Sequence, residues 1–212
     1  MSEHSTALAH QFDDAEQQKE ASIFGMWIFL VTEVMFFGGM FAGYTVYRYR
    51  YFDDFTFGSQ KLALWLGGTN TVVLIASSFT MALAVRAAQT NRRRQLILFL
   101  ILTMLLGCVF LGIKAVEYHA KFEEHFVPGP TFEFRNKEHQ HAELYFSFYF
   151  AMTGFHALHM VIGVGLMAVI LRMAVRRRFS AEYYNPVEVA GLYWYFVDIV
   201  WIFLFPLLYL IR

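Results

Sequence analysis

Long apolar segments alternate with short polar links along most of this chain. The apolar segments cover approximately residues 21–46, 62–85, 95–118, 142–171 and 189–211. At about 1.5 Å of rise per helical residue, each is long enough to cross the roughly 30 Å hydrocarbon core of a bilayer. None shows the alternation of apolar and polar residues that is typical of membrane barrel strands. The pattern therefore predicts an all-α integral membrane bundle, a single domain of five transmembrane helices over residues 21–212, after a polar tail at residues 1–20.

The basic residues predict how the bundle is oriented. The link over residues 86–94 contains four arginines and no acid, and a second arginine cluster lies in the link over residues 172–188. Short arginine-rich loops stay on the cytoplasmic side of a membrane. With five spans, we expect a cytoplasmic N-terminus and a periplasmic C-terminus. The polar, acidic start is unlike a cleaved signal peptide, so the first helix is expected to act as its own insertion signal.

Composition narrows the classes of partner and chemistry. The chain is 58% hydrophobic and 19% aromatic, well above the roughly 45–50% apolar content of soluble domains. A net charge of +0 argues against a nucleic-acid partner. The single cysteine, Cys108, lies in an apolar run and has no second cysteine with which to form a disulfide or a thiolate metal site.

Three ionisable side chains are expected deep in the membrane. Helical rise places Glu33, His159 and Asp198 about 14–18 Å from the cytoplasmic ends of their helices, in one layer. An ionised side chain at that depth costs at least a few kcal/mol, so Glu33 should be protonated, paired or turned into the protein interior. His156 lies one turn from His159 on the same face. Together with Glu117 of the third span, these residues predict a buried polar network, which either fixes the packing or forms a proton path or a lipid-headgroup site.

Local spacing predicts two further contacts. Lys114 and Glu117 lie three residues apart near the outer end of the third span, which favours an ion pair at the membrane interface. Gly39 and Gly43 form a small-xxx-small pattern that favours close helix packing in the first span. The tyrosine-rich stretch over residues 47–61 is expected to be a link at the level of the headgroups.

The number and positions of the histidines bear on whether this chain could bind a haem or copper centre. Membrane haem is usually held by histidines on facing helices, and the only histidines in the predicted spans, His156 and His159, lie on one helix. The chain is therefore not expected to hold haem or copper itself. A proton-coupled transporter would also place acids such as Glu33 and Asp198 at the midplane. The absence of a visible repeat and of helices broken by Gly or Pro argues against it.

Four sequence blocks resemble subunit III of the haem–copper respiratory oxidases, the cytochrome c oxidase and quinol oxidase group. They are TEVMFF at residues 32–37, the segment from Leu106-Gly107 to Glu117-Tyr118, TGFHALH at residues 153–159 with Ile162-Gly163, and YWYFVDIVW at residues 193–201. The resemblance implies an inner-membrane subunit of aerobic respiration without haem or metal, those centres lying in partner subunits. It also implies contact with catalytic subunit I, subunit II and a small subunit IV, phospholipid binding, and support of proton uptake and translocation, and it leaves membership of a larger respiratory supercomplex open.

The resemblance assigns roles to individual residues. Glu33 matches a buried, carbodiimide-reactive glutamate that supports proton uptake, and Glu117 matches the acid of a Glu-Tyr pair. His156 and His159 match two histidines of the fourth span, and Arg172 lies close to an arginine that contacts lipid. Tyr195 is a departure, because relatives usually have a histidine there.

The resemblance also leaves alternatives open. The chain resembles the short, five-helix form, which lacks the first two helices of larger members. We expect subunit III of a bacterial proton-pumping oxidase that accepts electrons from cytochrome c. A quinol oxidase subunit III and a homologue associated with nitric oxide reductase are the alternatives.

Overall fold

The computed structural model describes residues 12, 14–129, 132, 141–179 and 183–211. Within these ranges the chain forms six α-helices and no strand. The helices are α1 (Ala15–Arg50), α2 (Phe52–Gln60), α3 (Leu64–Gln89), α4 (Arg93–Glu123), α5 (Ala142–Val175) and α6 (Asn185–Tyr209). Five of them, all except α2, are long and apolar enough to cross a membrane. The prediction of an all-α bundle with five spans is therefore confirmed.

Helix boundaries differ from the predicted ones by a few residues. The largest difference is at α1, which begins at Ala15, inside the segment predicted as a polar tail. Its start follows from a side-chain cap, since Asp14 accepts a hydrogen bond from the backbone N–H of Gln17 at 2.7 Å. Residues 1–11 and 13 of that tail, and the C-terminal Arg212, lie outside the described residues.

The link predicted after the first span contains a short helix, α2, which was not foreseen. Asp53 and Asp54 lie in its first turn, where carboxylates interact favourably with the positive end of the helix dipole. Its inner face packs on α5: a Cβ added at Gly58 would lie 2.3 Å from the ring of Tyr145. With only nine residues, several of them polar, α2 has no span-like hydropathy signal, so the link gave no sign of it.

The helices differ in how deeply they are enclosed. Helices α3, α4, α5 and α6 pack against one another in sequence-adjacent pairs and through α3 with α6, while α1 lies against α5 and α6 at one side. Of the most apolar stretch of each helix, 56% is buried within the chain in α6 but only 11% in α1. Helix α6 is therefore the central element, and α1 is peripheral.

Tryptophan and glycine set the closest approach around α6. Trp194 is fully buried and faces two glycines: a Cβ at Gly107 of α4 would lie 2.8 Å from its ring, and one at Gly163 of α5 would lie 3.0 Å from it. In contrast, the predicted packing face at Gly39 and Gly43 is wrong for contacts inside this chain. Gly39 has open space around it and Gly43 meets only a ring edge at 3.6 Å, because α1 is peripheral.

Two tyrosine hydroxyls donate hydrogen bonds to the free carbonyl groups at the end of α6. The last carbonyl oxygens of a helix have no partner within the helix. The hydroxyl of Tyr44 on α1 donates to the carbonyl of Leu207 at 2.7 Å, and that of Tyr145 on α5 donates to the carbonyl of Leu208 at 2.7 Å. These bonds join three helices at one end of the bundle.

We expect Gly107→Ala to destabilise the bundle. The added Cβ overlaps a buried tryptophan ring, and such overpacking typically costs about 1–3 kcal/mol. Gly112→Ala on the same helix is the control, since its Cβ meets nothing within 4 Å and alanine favours helix by about 0.5–1 kcal/mol. The measurement is the temperature at which half of the subunit is lost from the solubilised complex. Equal temperatures for the two variants would contradict this account of α6 packing.

Candidate functional site

The Glu33 and His159 side chains form a pair between α1 and α5. Oε2 of Glu33 lies 3.1 Å from Nε2 of His159, and Nδ1 of His159 lies 2.8 Å from the carbonyl oxygen of Phe155. The carbonyl accepts only, so Nδ1 carries a proton. Nε2 then either accepts from a protonated Glu33 or donates, as imidazolium, to a carboxylate. Both arrangements have no net charge, which is what a site within an apolar span requires.

Aromatic side chains enclose most of this pair. The ring of Phe37 lies 5.4 Å from the imidazole, and the hydroxyl of Tyr193 donates to the carbonyl of His159 at 3.0 Å. The side chains of His159 and Glu33 nevertheless keep 12% and 19% of their surface exposed. The pair is therefore held in place by three helices and still reachable from one side.

Asp198 forms a separate cluster with α3. Ser78 donates a short hydrogen bond to Oδ2 of Asp198, and Ser77 lies at 3.5 Å from the same oxygen. The indole of Trp194 donates to Ser77 at 2.8 Å. The other carboxylate oxygen, Oδ1, has no hydrogen-bond partner among the described residues. Asp198 thus joins α6 to α3, and its bonds do not reach Glu33.

The largest polar cluster surrounds Lys114 and Glu117. Nζ of Lys114 lies 2.9 Å from Oε2 of Glu117 and donates to the hydroxyls of Tyr149 and Tyr209, each at 3.1 Å. The Tyr209 hydroxyl donates to the other oxygen of Glu117 at 2.6 Å. The predicted ion pair is confirmed, but the residues are 3% and 1% exposed and so enclosed by the bundle. Sequence reasoning missed the two tyrosines, which come from α5 and α6.

His156 does not share the surroundings of His159. It is 1% exposed, with its ring 5.4 Å from Phe110 and 5.3 Å from Trp201. Neither ring nitrogen has a hydrogen-bond partner among the described residues. The interpretation of one network containing Glu117, His156, His159 and Asp198 is therefore wrong. Glu117, Asp198 and His159 lie on three different helices and bond to different partners, while His156 and His159, three residues apart on α5, face different neighbours.

An apolar groove between α1 and α6 was not foreseen. It has a volume of about 430 Å³, and its walls include Val34 and Phe37 of α1 and Tyr195 and Phe196 of α6. Tyr195, the departure noted in the sequence, lines this groove.

Arg172 is exposed in the last turn of α5, and no described hydrogen bond involves its side chain. Among the described residues, no three His, Cys, Asp or Glu side chains converge as a metal site would require.

Comparison with known proteins gives consistent matches over most of the chain. The family described as cytochrome c oxidase subunit III matches residues 9–211. The cytochrome c oxidase subunit 3 of Thermostichus vulcanus is 31% identical over 97% of this chain and 94% of its own length. That of Synechocystis is 35% identical over 89% and 75%. The cytochrome bo(3) ubiquinol oxidase subunit 3 of Pseudomonas aeruginosa is 29% identical over 96% and 91%.

We expect Glu117→Gln to destabilise the subunit strongly. Removing the carboxylate leaves the Lys114 ammonium buried without a charged partner, and breaking a buried pair typically costs about 3–5 kcal/mol. Glu124→Gln is the comparison variant: Glu124, directly after α4, pairs with Lys121 at 2.6 Å at the same spacing, but its side chain is 48% exposed. We expect a smaller loss of stability there, because water reaches Glu124 and the Lys121 ammonium keeps its hydrogen bond to the carbonyl of Lys61 at 2.7 Å.

The measurement is again the temperature of subunit loss from the solubilised complex. Replacing both partners, Lys114→Met with Glu117→Leu, should recover much of the loss, because no buried charge remains. Equal effects of Glu117→Gln and Glu124→Gln would contradict the assignment of the Lys114 cluster as a buried, charge-balanced core.

Proposed function

The chain belongs to the cytochrome c oxidase subunit III family, and we propose that it is the non-catalytic subunit III of a bacterial proton-pumping terminal oxidase. As a member of this family it is a multi-pass membrane subunit of an oxidase complex. In our proposal, oxygen reduction and its haem and copper centres belong to the partner subunits I and II. This chain stabilises subunit I, contacts a small subunit IV, and joins any larger respiratory supercomplex through the same assembly.

The Glu33–His159 pair is the observation that carries the proposed role. It holds one proton between two groups of different helices, within hydrogen-bond distance and at zero net charge. A proton moves between such groups without creating a net charge in the hydrocarbon. We propose that the exposed side of the pair orders water or lipid close to the entrance through which subunit I takes up protons. The pair also holds α1 against α5, so its loss should shorten the working life of the complex.

The groove between α1 and α6 supports phospholipid binding at the same place. Val34 and Phe37, which line it, lie next to Glu33 and against His159 respectively. An apolar groove of about 430 Å³ that opens towards the hydrocarbon suits an acyl chain. We propose that Tyr195 borders this lipid in place of the imidazole found in relatives. Arg172, exposed at the arginine-rich end of α5, is the proposed headgroup contact.

The electron donor is the point on which two candidate functions differ. The relatives named as cytochrome c oxidase subunits favour cytochrome c, and the relative named as a ubiquinol oxidase subunit favours quinol. We propose cytochrome c. The test is the composition of the purified complex: a copper-binding domain in the partner subunit II supports cytochrome c, and its absence supports quinol.

We expect the inner bacterial membrane as the location, with the N-terminus in the cytoplasm. The ends of α3 and α5 and the starts of α4 and α6 lie together at one end of the bundle, and this end carries the arginine clusters. Alkaline phosphatase fused after residue 212 should be active, and green fluorescent protein fused there should be dark. The reverse result would contradict this orientation.

We expect Glu33→Gln and Glu33→Ala to shorten the active life of the complex during prolonged turnover. Glu33→Ala removes the bond to His159, whereas Glu33→Gln keeps a hydrogen bond but no transferable proton. Both should raise the rate of turnover-dependent inactivation severalfold, and both should slow proton uptake. Glu20→Gln is the control, since this acid lies on the same helix but is exposed near its start, away from the contact with His159.

The readouts are the initial rate, the number of protons pumped per electron and the half-life of activity. The comparison of Glu33→Gln with Glu33→Ala shows whether the transferable proton or only the hydrogen bond to His159 sustains these three values. Wild-type values of all three readouts in both Glu33 variants would end the proposal.

A further inference from the structure

Arginines that take no part in the sites above converge on the turn between α3 and α4. Arg92 and Arg94 of this turn and Arg177, just after α5, line a recess of about 730 Å³ together with Phe179. Arg92 also lines an adjoining cavity of about 340 Å³, which includes Arg86 at the end of α3. We refer to these two adjoining spaces as the arginine recess.

The arginine recess has a strong excess of positive charge. Among the described residues, no Asp or Glu lines either space, and no carboxylate lies at salt-bridge distance from Arg86, Arg92, Arg94 or Arg177. Converging guanidinium groups without acids repel one another, so their arrangement favours a bound anion. Arginine forks match the oxygens of a phosphate group.

The backbone adds to this preference for an anion. Helix α4 begins at the recess, its first turn contains no acid, and no side chain caps it. The free N–H groups and the helix dipole at such a start attract negative charge.

A neighbouring arginine makes the recess rigid. Arg93 donates from Nε to the carbonyl of Ala174 at 3.0 Å and from Nη2 to that of Val175 at 2.6 Å. These bonds satisfy the last carbonyls of α5 and fix its end against the start of α4. The positions of Arg92 and Arg177 relative to each other are therefore set by the bundle.

Apolar side chains beside the charges identify the kind of anion. Phe179 lines the larger space, and Leu83 and Phe99 line the smaller one. Beyond them, the outer faces of α3 and α4 are exposed and apolar, with Phe79, Leu98 and Leu102 among them. The recess thus lies where a lipid-facing surface ends. Its lining matches a molecule that has a phosphate at one end and hydrocarbon at the other.

We propose that the arginine recess binds the phosphate headgroup of an anionic phospholipid, with the first carbons of its acyl chains against Leu83, Phe99 and Phe179. Basic recesses between helices at a membrane surface favour anionic lipids over zwitterionic ones. The recess lies on α3, α4 and the end of α5, away from the groove between α1 and α6. It does not depend on the proposed role of Glu33 or on the electron donor.

The test compares lipid retention in two pairs of variants. The oxidase complex is purified with Arg92→Gln and Arg177→Gln together, placed in nanodiscs of phosphatidylcholine with some phosphatidylglycerol, and released into a native mass spectrometer. We expect the preference for retained phosphatidylglycerol to fall about tenfold or more, because two of the guanidinium groups are lost. The control, Arg176→Gln with Arg178→Gln, removes the same charge from the same end of the bundle but not from the recess lining, and should retain lipid as the wild type does.

The mass of the released complex also shows whether the subunit remains assembled, which separates lost lipid from lost folding. Unchanged lipid retention in the Arg92→Gln/Arg177→Gln variant, or an equal loss in both double variants, overturns the proposal. The arginines would then attract lipid only through their total charge and not through a defined site. Lipid retention is measured without turnover, so this result and the Glu33 result are independent.

A second arm uses the wild-type complex and distinguishes lipid from free phosphate. The complex in phosphatidylcholine nanodiscs is titrated with phosphatidylglycerol in the presence of inorganic phosphate. Phosphate should compete only weakly, because it makes no contact with the apolar side chains. Displacement of the lipid by phosphate at comparable concentration would show a free-phosphate site and overturn the assignment to lipid.

Discussion

Lipid tails are as apolar as the leucine side chains that face them, so the hydrophobic effect does little to hold helices together within a membrane. Packing contacts and hydrogen bonds between helices have to supply the association. The polar contacts between helices therefore account for a larger share of what holds this bundle together than they would in a water-soluble bundle. The arrangement of these contacts explains which helices form the centre and which one is added at the side.

Helix α1 shows this most clearly, because it buries little of its surface. Among the described residues, polar contacts are spread along its length and hold it to the rest. Lys19 near its start pairs with Glu188 of α6 at 3.4 Å, Glu33 bonds to His159 of α5, and Tyr44 donates to the end of α6. The middle contact is the one with a transferable proton. Glu33, which we propose assists proton uptake, thus also holds the peripheral helix α1 in place. Stability and activity are therefore expected to change together.

Separate polar clusters lie in the interior of the bundle. The Lys114 ammonium is neutralised by Glu117 and capped by two tyrosine hydroxyls, while Asp198 receives hydrogen bonds from serines. The hydrogen bonds described for each set stay within that set, so the two sets are separate. At the arginine-rich end, the described arginines have no acidic partner among the described residues, and in our proposal an anionic lipid of the membrane surface takes that place.

The sequence by itself determined the number of spans, their approximate limits, the family, and the pairing of Lys114 with Glu117. All of these depend on spacing along one helix or on the length of an apolar run, and such information is local. Only the tertiary structure decided that Glu33 bonds to His159, that Asp198 turns to α3, and that His156 and His159 face different neighbours. It also placed α2 against α5 and left Gly39 without a partner helix. Those outcomes depend on the rotation of each helix about its axis, which is set by side chains such as Trp194 fitting against Gly107 and Gly163 on other helices. Hydropathy along the chain is nearly the same on all sides of a membrane helix, so it contains little information about that rotation.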